Sequence, residues 1–305
     1  MGTKPTEIRR HKHEEVSRRM SGNDGASQDC RADDAVLYEA TDSGVAILTF
    51  NRPDRLNAWG PDIAAGFYAG IDRAESDPAV RVVVLTGRGR GFCAGAYLGA
   101  PGGGAAKVSE SMENAGQTNL ADLVGERPPH FVTTLRKPVI AAINGACVGI
   151  GLTQALMCDV RFAAAGAKFG AVFARRGLIA EFGISWILPR LTSMGIALDL
   201  LLSARTFLAE EAAELRLVKE VVAADDLMKR VLEYAEDMAA NCSPASMAVV
   251  KRQVYADDIR DVVDAHNRSE ILVHEAMSRP DVIEGITCFL EKRTPQFSAL
   301  RPTDA

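Results

Sequence analysis

Long apolar runs are missing from this chain. No stretch approaches the twenty or so residues that a bilayer-spanning helix needs, so a helical membrane protein is excluded from the reading. An excess of positive charge is missing as well. With a formal net charge of -5, nothing electrostatic favours nucleic acid or an anionic lipid surface as a partner. Cysteines are few and scattered: Cys30, Cys93, Cys147, Cys158, Cys242 and Cys288 form no CxxC pair and no Cys/His spacing suited to zinc. Most lie in apolar or glycine-turn contexts and read as small buried hydrophobes. Disulfides and a metal site are not expected, and a reducing, cytoplasmic setting follows.

What is present is an ordinary globular composition, 47% hydrophobic and 25% charged over 305 residues, enough for one large domain with an appendage. Residues 1–32 stand apart. HKHEEVSRR and then SGNDGASQD are polar and mixed in charge, lack the apolar core of a secretory signal, and carry acids that argue against a transit peptide. A disordered or frayed N-terminal extension is expected there, with His11 and His13 solvated.

Beyond it the pattern is rhythmic. Val36–Glu39 and Gly44–Phe50 read as a hairpin around Thr41-Asp42-Ser43-Gly44. Pro61–Ser76 reads as an amphipathic helix and Arg81–Thr86, RVVVLT, as a buried strand. Gly99–Ala105 is a flexible loop suited to a lid, and Ser109–Leu135 is mostly helical with a break at Pro128-Pro129. Val139–Ile143 is a strand ending at Asn144-Gly145, a helical run follows from Leu152 to Met157, and Val160–Ala163 is another strand. From about Leu191 strands mostly stop. Helical patterning covers Ile196–Ser203, Ala209–Arg216, Asp225–Ala240, Ser246–Tyr255, Val262–Met277 and Pro280–Lys292.

Two glycine-bearing turns carry the chemical signal. Gly149-Ile150-Gly151 opens the helix after Val139–Ile143, and Ala94-Gly95-Ala96 follows RVVVLT. Amides at such turns lack intrahelical partners, and two of them aimed at one carbonyl oxygen make an oxyanion hole. The competing reading is a packing joint, in which glycine only permits close approach. GRGRG superficially matches a dinucleotide fingerprint but lacks the full spacing and the following acid.

NRPDRLNAW (51–59), GRGRGFCAGAYL (87–98), KPVIAAINGACVGIGLTQALMCDVRFA (137–163), FGAVFARRGLIAEFGISWILPRL (169–191) and LLSARTFLAEEAAELRLVKEVV (201–222) together resemble the crotonase, or enoyl-CoA hydratase/isomerase, superfamily, in order and in spacing. The resemblance implies an α/β fold: a crotonase-like spiral of repeated ββα units over 33–195, then a C-terminal helical region over 196–305 that makes trimer contacts. It implies an acyl-CoA thioester substrate and no separate cofactor, since coenzyme A belongs to the substrate. It also implies a homotrimer or a dimer of trimers. The oxyanion donors would be the amides of Ala96 and Ile150. Backbone at Leu56, Asn57 and Ala58 would read the adenine end, with Arg55 and Lys292 near the phosphates, although both cations also suit a solvated surface. Ala94, Leu98, Gly149, Thr153 and Phe173 would also bind the substrate.

The departures from the family bear on the reaction. A family hydratase carries glutamates where this chain has Thr153 and Phe173, so the carboxylate pair that positions and activates water is missing. Tyr97 stands where an aspartate is common. Glu181, in GLIAEFG, matches an acid that shuttles protons in other members, and Ile179, Phe182 and Ile184 are expected to desolvate it and raise its pKa. Otherwise Glu181 caps the helix starting near Ile184 or pairs with Arg175 or Arg176. Isomerisation by a single carboxylate is favoured. A hydratase with atypical acid and base groups, and an acyl-CoA-binding protein without catalysis, remain open.

Overall fold

The computed structural model describes residues 34–97 and 127–300. The N-terminal extension, the lid loop at 99–105, Leu98 and most of the 109–135 segment lie outside them. Strands β1 (Val36–Ala40) and β2 (Val45–Phe50) form the expected hairpin, with Val36 opposite Phe50. Helix α1 (Pro61–Ser76) and strand β3 (Val82–Gly87) follow. The chain then alternates between two sheets. β3, β5 (Val139–Ile143) and β7 (Val160–Ala164) lie side by side in a six-stranded sheet of order β1-β2-β3-β5-β7-β10. Three-residue strands β4 (Gly91–Cys93), β6 (Ala146–Val148) and β8 (Lys168–Gly170) come directly after them and form a second sheet of order β4-β6-β8-β9. After β6 comes helix α2 (Ile150–Met157), and after β8 comes α3 (Ile184–Leu191). Each ββα unit thus places one strand in each sheet.

The central strands are apolar along their length because both faces of the large sheet are covered. In β3 the side chains alternate. Val83 and Leu85 pack with Ile63 and Phe67 of α1, whereas Val82 and Val84 pack with the opposite cover. That cover is a later helix. After α4 (Met194–Ser203), β9 (Thr206–Leu208), α5 (Ala209–Glu214) and β10 (Glu220–Val222), helix α6 (Leu227–Asn241) buries Leu227, Val231, Ala235 and Ala239, one stripe at four-residue spacing. Part of the C-terminal helical region therefore closes the core sheet. Strands β9 and β10 also continue past Leu191, where the sequence shows mainly helix.

Helices α7 (Pro244–Asp257), α8 (Val262–Met277) and α9 (Pro280–Glu291) complete the chain. A buried ion pair ties α7 to the core. Lys251 Nζ donates to Asp159 Oδ2 at 2.8 Å and to the carbonyls of Val132 and Lys137, while the Val139 amide donates to the same carboxylate oxygen at 2.7 Å. No residue of α8 is buried. Among the described residues no helix is long and apolar enough to cross a membrane.

Candidate active site

The second sheet brings the two glycine turns together. β4 and β6 pair in parallel with Cys93 opposite Cys147, so the turns two residues further on leave the same edge of the sheet. They touch: a β-carbon on Gly149 would lie 3.7 Å from Gly95 Cα, and one on Gly95 would lie 3.4 Å from the Val148 carbonyl. Gly149 has φ 56° and ψ -123°, a conformation that a side chain disfavours, and Gly95 has φ 104°.

Both candidate donors are left unpaired by this geometry. Ala96 forms a parallel bridge with Trp59, in which the Trp59 amide donates to the Gly95 carbonyl and the Tyr97 amide to the Trp59 carbonyl, each at 2.7 Å. A parallel bridge bonds the neighbours of Ala96 and turns its own N–H the other way. Ile150 is the first residue of α2, where an amide has no intrahelical acceptor. Among the described residues neither amide donates to a protein group.

Helix α2 adds its dipole. All eight of its residues are buried, and its C-terminal carbonyls at Leu156 and Cys158 accept from the guanidinium of the buried Arg161. The cation answers the negative end and leaves the positive end at Ile150 for developing negative charge. A thioester oxygen held there would gain about 3 kcal/mol per donor as it becomes an enolate oxygen.

A family model described as enoyl-CoA hydratase/isomerase matches residues 40–300. The chain belongs to the enoyl-CoA hydratase/isomerase family. It is 32% identical to the 1,2-epoxyphenylacetyl-CoA isomerase of Escherichia coli, over 86% of this chain and 98% of the relative. It is 71% identical to the crystal structure of an enoyl-CoA hydratase from Mycobacterium marinum, with a TM-score of 0.62, over 75% of this chain and all of that one. A probable enoyl-CoA hydratase/isomerase from Mycobacterium abscessus is 30% identical, with a TM-score of 0.76, over 87% of this chain and 99% of the other.

The other candidate residues of this family member fall into distinct groups. Leu56 and Asn57 adopt left-handed backbone, and the buried Asn57 side chain holds the turn: its Oδ1 accepts from the Arg52 amide at 2.7 Å and its Nδ2 donates to the carbonyls of Arg88 and Gly91. The Leu56 carbonyl accepts from the Ala94 amide at 3.1 Å, which ties the 56–58 turn to the Ala96 turn, and Ala58 is buried beside it. Arg55 joins the same corner. Its guanidinium lies 4.3 Å from the Tyr97 ring centre and donates to both Asp62 oxygens, at 2.6 and 2.7 Å. Burial pushes the Asp62 carboxyl up, but hydrogen bonds from Arg55, from the Ile63 amide and from Arg52 bring it below its ordinary value. Tyr97, in the place of the family's aspartate, therefore helps to hold Arg55.

Lys292 makes no hydrogen bond or ion pair with this corner among the described residues. It is exposed at the end of α9, and the chain just after it is fixed where Arg81, at the start of β3, donates to the Phe297 carbonyl.

Thr153 and Phe173 are buried and carry no carboxylate; Thr153 Oγ1 turns back to the Gly149 carbonyl at 3.4 Å. Burial pushes the Cys93 thiol up to about 11 and the Cys147 thiol well above its usual value, so neither supplies a thiolate. No cluster of three His, Cys, Asp or Glu able to hold a metal occurs among the described residues.

Glu181 is half-buried on the loop from Gly177 to Gly183, which leads into α3. Its side chain has no hydrogen bond or ion pair among the described residues. Arg175 donates instead to the Ser203 carbonyl, and the N-cap of α3 is Gly183, without a side-chain cap. Burial raises the Glu181 carboxyl above its ordinary value. The expected desolvating neighbours need one correction. Ile184 is buried and Phe182 half-buried, but Ile179 is 80% exposed and shields nothing. The loop is strained, since Phe182 takes φ 59° directly before Gly183 at φ 83°. One polar residue, Gln154 on α2, was hidden in the sequence by its apolar surroundings and becomes visible only through its burial.

Proposed function

We propose that this family member moves the double bond of an enoyl-CoA thioester, with the Ala96 and Ile150 amides stabilising the enolate oxygen and Glu181 carrying the proton between carbons. The observation that carries this reading is Glu181: among the described residues it is half-buried, raised in pKa and without a salt bridge, while Thr153 and Phe173 stand where family hydratases keep carboxylates. Proton abstraction α to a thioester needs one base and an oxyanion site, whereas addition of water needs a second group to position and activate the water. The 32% identity to a protein named 1,2-epoxyphenylacetyl-CoA isomerase in Escherichia coli supports an isomerase over a hydratase. Hydratase activity is the second reading, favoured by the 71% identity to a protein described as an enoyl-CoA hydratase.

No cofactor enters this mechanism beyond the CoA of the substrate. The buried free thiols Cys93, Cys147 and Cys158 fit a reducing cytoplasm. A homotrimer or a dimer of trimers is supported by apolar side chains left on the surface, among them Val262 and Ile271 on α8, Ile283 and Phe289 on α9, and Met194 and Leu202 on α4. Adding crotonyl-CoA and a 3-enoyl-CoA separately and following absorbance of the conjugated thioester tests the reaction. A gain from the 3-enoyl substrate supports isomerisation, loss from crotonyl-CoA alone supports hydration, and no change with either supports binding without catalysis.

A further inference from the structure

Gln154 is buried to 1% exposure, yet neither its Nε2 nor its Oε1 has a hydrogen-bond partner among the described residues. An amide buried without partners is costly, and a folded protein keeps one where a water or a ligand completes it. Its place on α2 narrows the choice. Ile150, Gln154 and Met157 are spaced i, i+4 and i+7 and so share one face of the helix. At one end of that face is the Ile150 amide, the second oxyanion donor. At the other, Met157 Cε lies 3.2 Å from where a β-carbon on Gly183 would stand, on the loop that carries Glu181. Gln154 is between them, about 6 Å along the helix axis from Ile150. Helical side chains lean toward the N-terminus, and the Ile150 amide lies at that end of the helix.

We propose that the Gln154 amide is a specificity-determining group that hydrogen-bonds an oxygen substituent on the acyl chain, a few bonds beyond the thioester carbonyl. The substrate class is then an acyl-CoA bearing a hydroxyl or carbonyl oxygen rather than a plain alkyl or alkenyl chain. An amide supplies two N–H donors and an acceptor oxygen, so it satisfies a hydroxyl in both directions. A purely alkyl chain leaves it unpaired, and sites of this kind reject the analogue that lacks the oxygen. This assignment rests on the acyl-CoA reading of the site but not on Glu181 being the base.

Calorimetric titration of the full-length protein with butyryl-CoA, 3-hydroxybutyryl-CoA and 4-hydroxybutyryl-CoA tests it without requiring turnover. At least one hydroxyacyl-CoA is expected to bind about tenfold or more tightly than butyryl-CoA, the scale of one well-made buried hydrogen bond. In Gln154→Leu that preference should vanish while butyryl-CoA affinity holds or improves. Gln154→Met, closer in shape, guards against a packing fault in the leucine variant, and melts of both confirm folding. A wild-type protein that binds butyryl-CoA but gains nothing from either hydroxyl overturns the assignment alone. So does a preference that survives in both variants, which makes the amide's partner an internal water. Failure to bind any acyl-CoA overturns the assignment together with the reading beneath it.

Discussion

Gly151→Ala puts the geometry of the oxyanion hole to a direct test. A β-carbon there would stand 2.3 Å from the Cys93 carbonyl oxygen, 2.7 Å from Cys93 Cβ and 2.9 Å from its sulfur. Ordinary contact begins near 3.4 Å, so α2 and β4 must part by roughly 1 Å, the difference between the two distances. The clash is with backbone, which no rotamer change relieves. The displacement falls one residue from the Ile150 amide and on the strand that leads to Ala96, so it separates the two donors. A misplacement of about 1 Å costs on the order of 100-fold in rate, and overpacking of this kind costs about 1–3 kcal/mol in stability. Turnover of the confirmed enoyl-CoA substrate, measured beside a thermal melt, reads both quantities. Gly166→Ala is the control: its φ of 74° imposes backbone strain, but a β-carbon there meets nothing within 4 Å, so stability falls slightly and turnover per folded molecule does not. A Gly151→Ala protein with wild-type turnover would show that the hole does not depend on the α2–β4 contact.

Arg55→Ala should weaken CoA binding by about 1 kcal/mol, the scale of a partly exposed phosphate contact, and calorimetry with free CoA checks it. The same titration of Lys292→Ala asks whether this second cation contributes; silence in both variants removes the cations from the site. Lys251→Met leaves the Asp159 carboxylate without its cation and should cost about 3 kcal/mol in chemical denaturation with turnover nearly intact; a loss below about 1 kcal/mol would mean that the pair holds nothing. Light scattering at micromolar concentration should find an oligomer, and a monomer would contradict the role given to the exposed faces of α8 and α9.

The apolar cores of the ββα units were legible because a strand buried on both faces must be a continuous apolar run. Val139–Ile143 matches its sequence reading residue for residue, as do Pro61–Ser76 and Val262–Met277. The partner strands Gly91–Cys93, Ala146–Val148 and Lys168–Gly170 were not legible. Three residues are too few for any period to show, and their strand character comes from pairing with one another. That pairing is what brings the two glycine turns together, so the sequence offered both turns of the proposed hole without the element that aligns them. Contacts distant in the chain were hidden for a related reason. Lys251 reads as one more surface lysine until it meets Asp159, and Gln154 as a tolerated polar residue in an apolar helix until its burial is seen. The burial and raised pKa of Glu181 were legible because its apolar neighbours Phe182 and Ile184 are local, yet Ile179 beside it is exposed, since the strained loop follows no regular period.

The central claim is that Glu181 is the base of a one-carboxylate site, and Glu181→Gln tests it most directly. The change keeps shape and hydrogen-bonding capacity and removes the proton acceptor. Turnover of a 3-enoyl-CoA should fall by about 10²–10⁴-fold, the usual contribution of a positioned general base. In the wild type, kcat/KM should fall on the acid side with a midpoint above the ordinary glutamate value, because burial raises the group and catalysis needs it ionised. A folded-state pKa raised above the unfolded one makes the protonated form the better tenant of the fold: that contribution is present at low pH and lost as pH rises through the folded value. At neutral pH the glutamine variant should therefore melt no earlier than the wild type. An early melt with wild-type turnover per folded molecule would contradict the account and make Glu181 a structural residue.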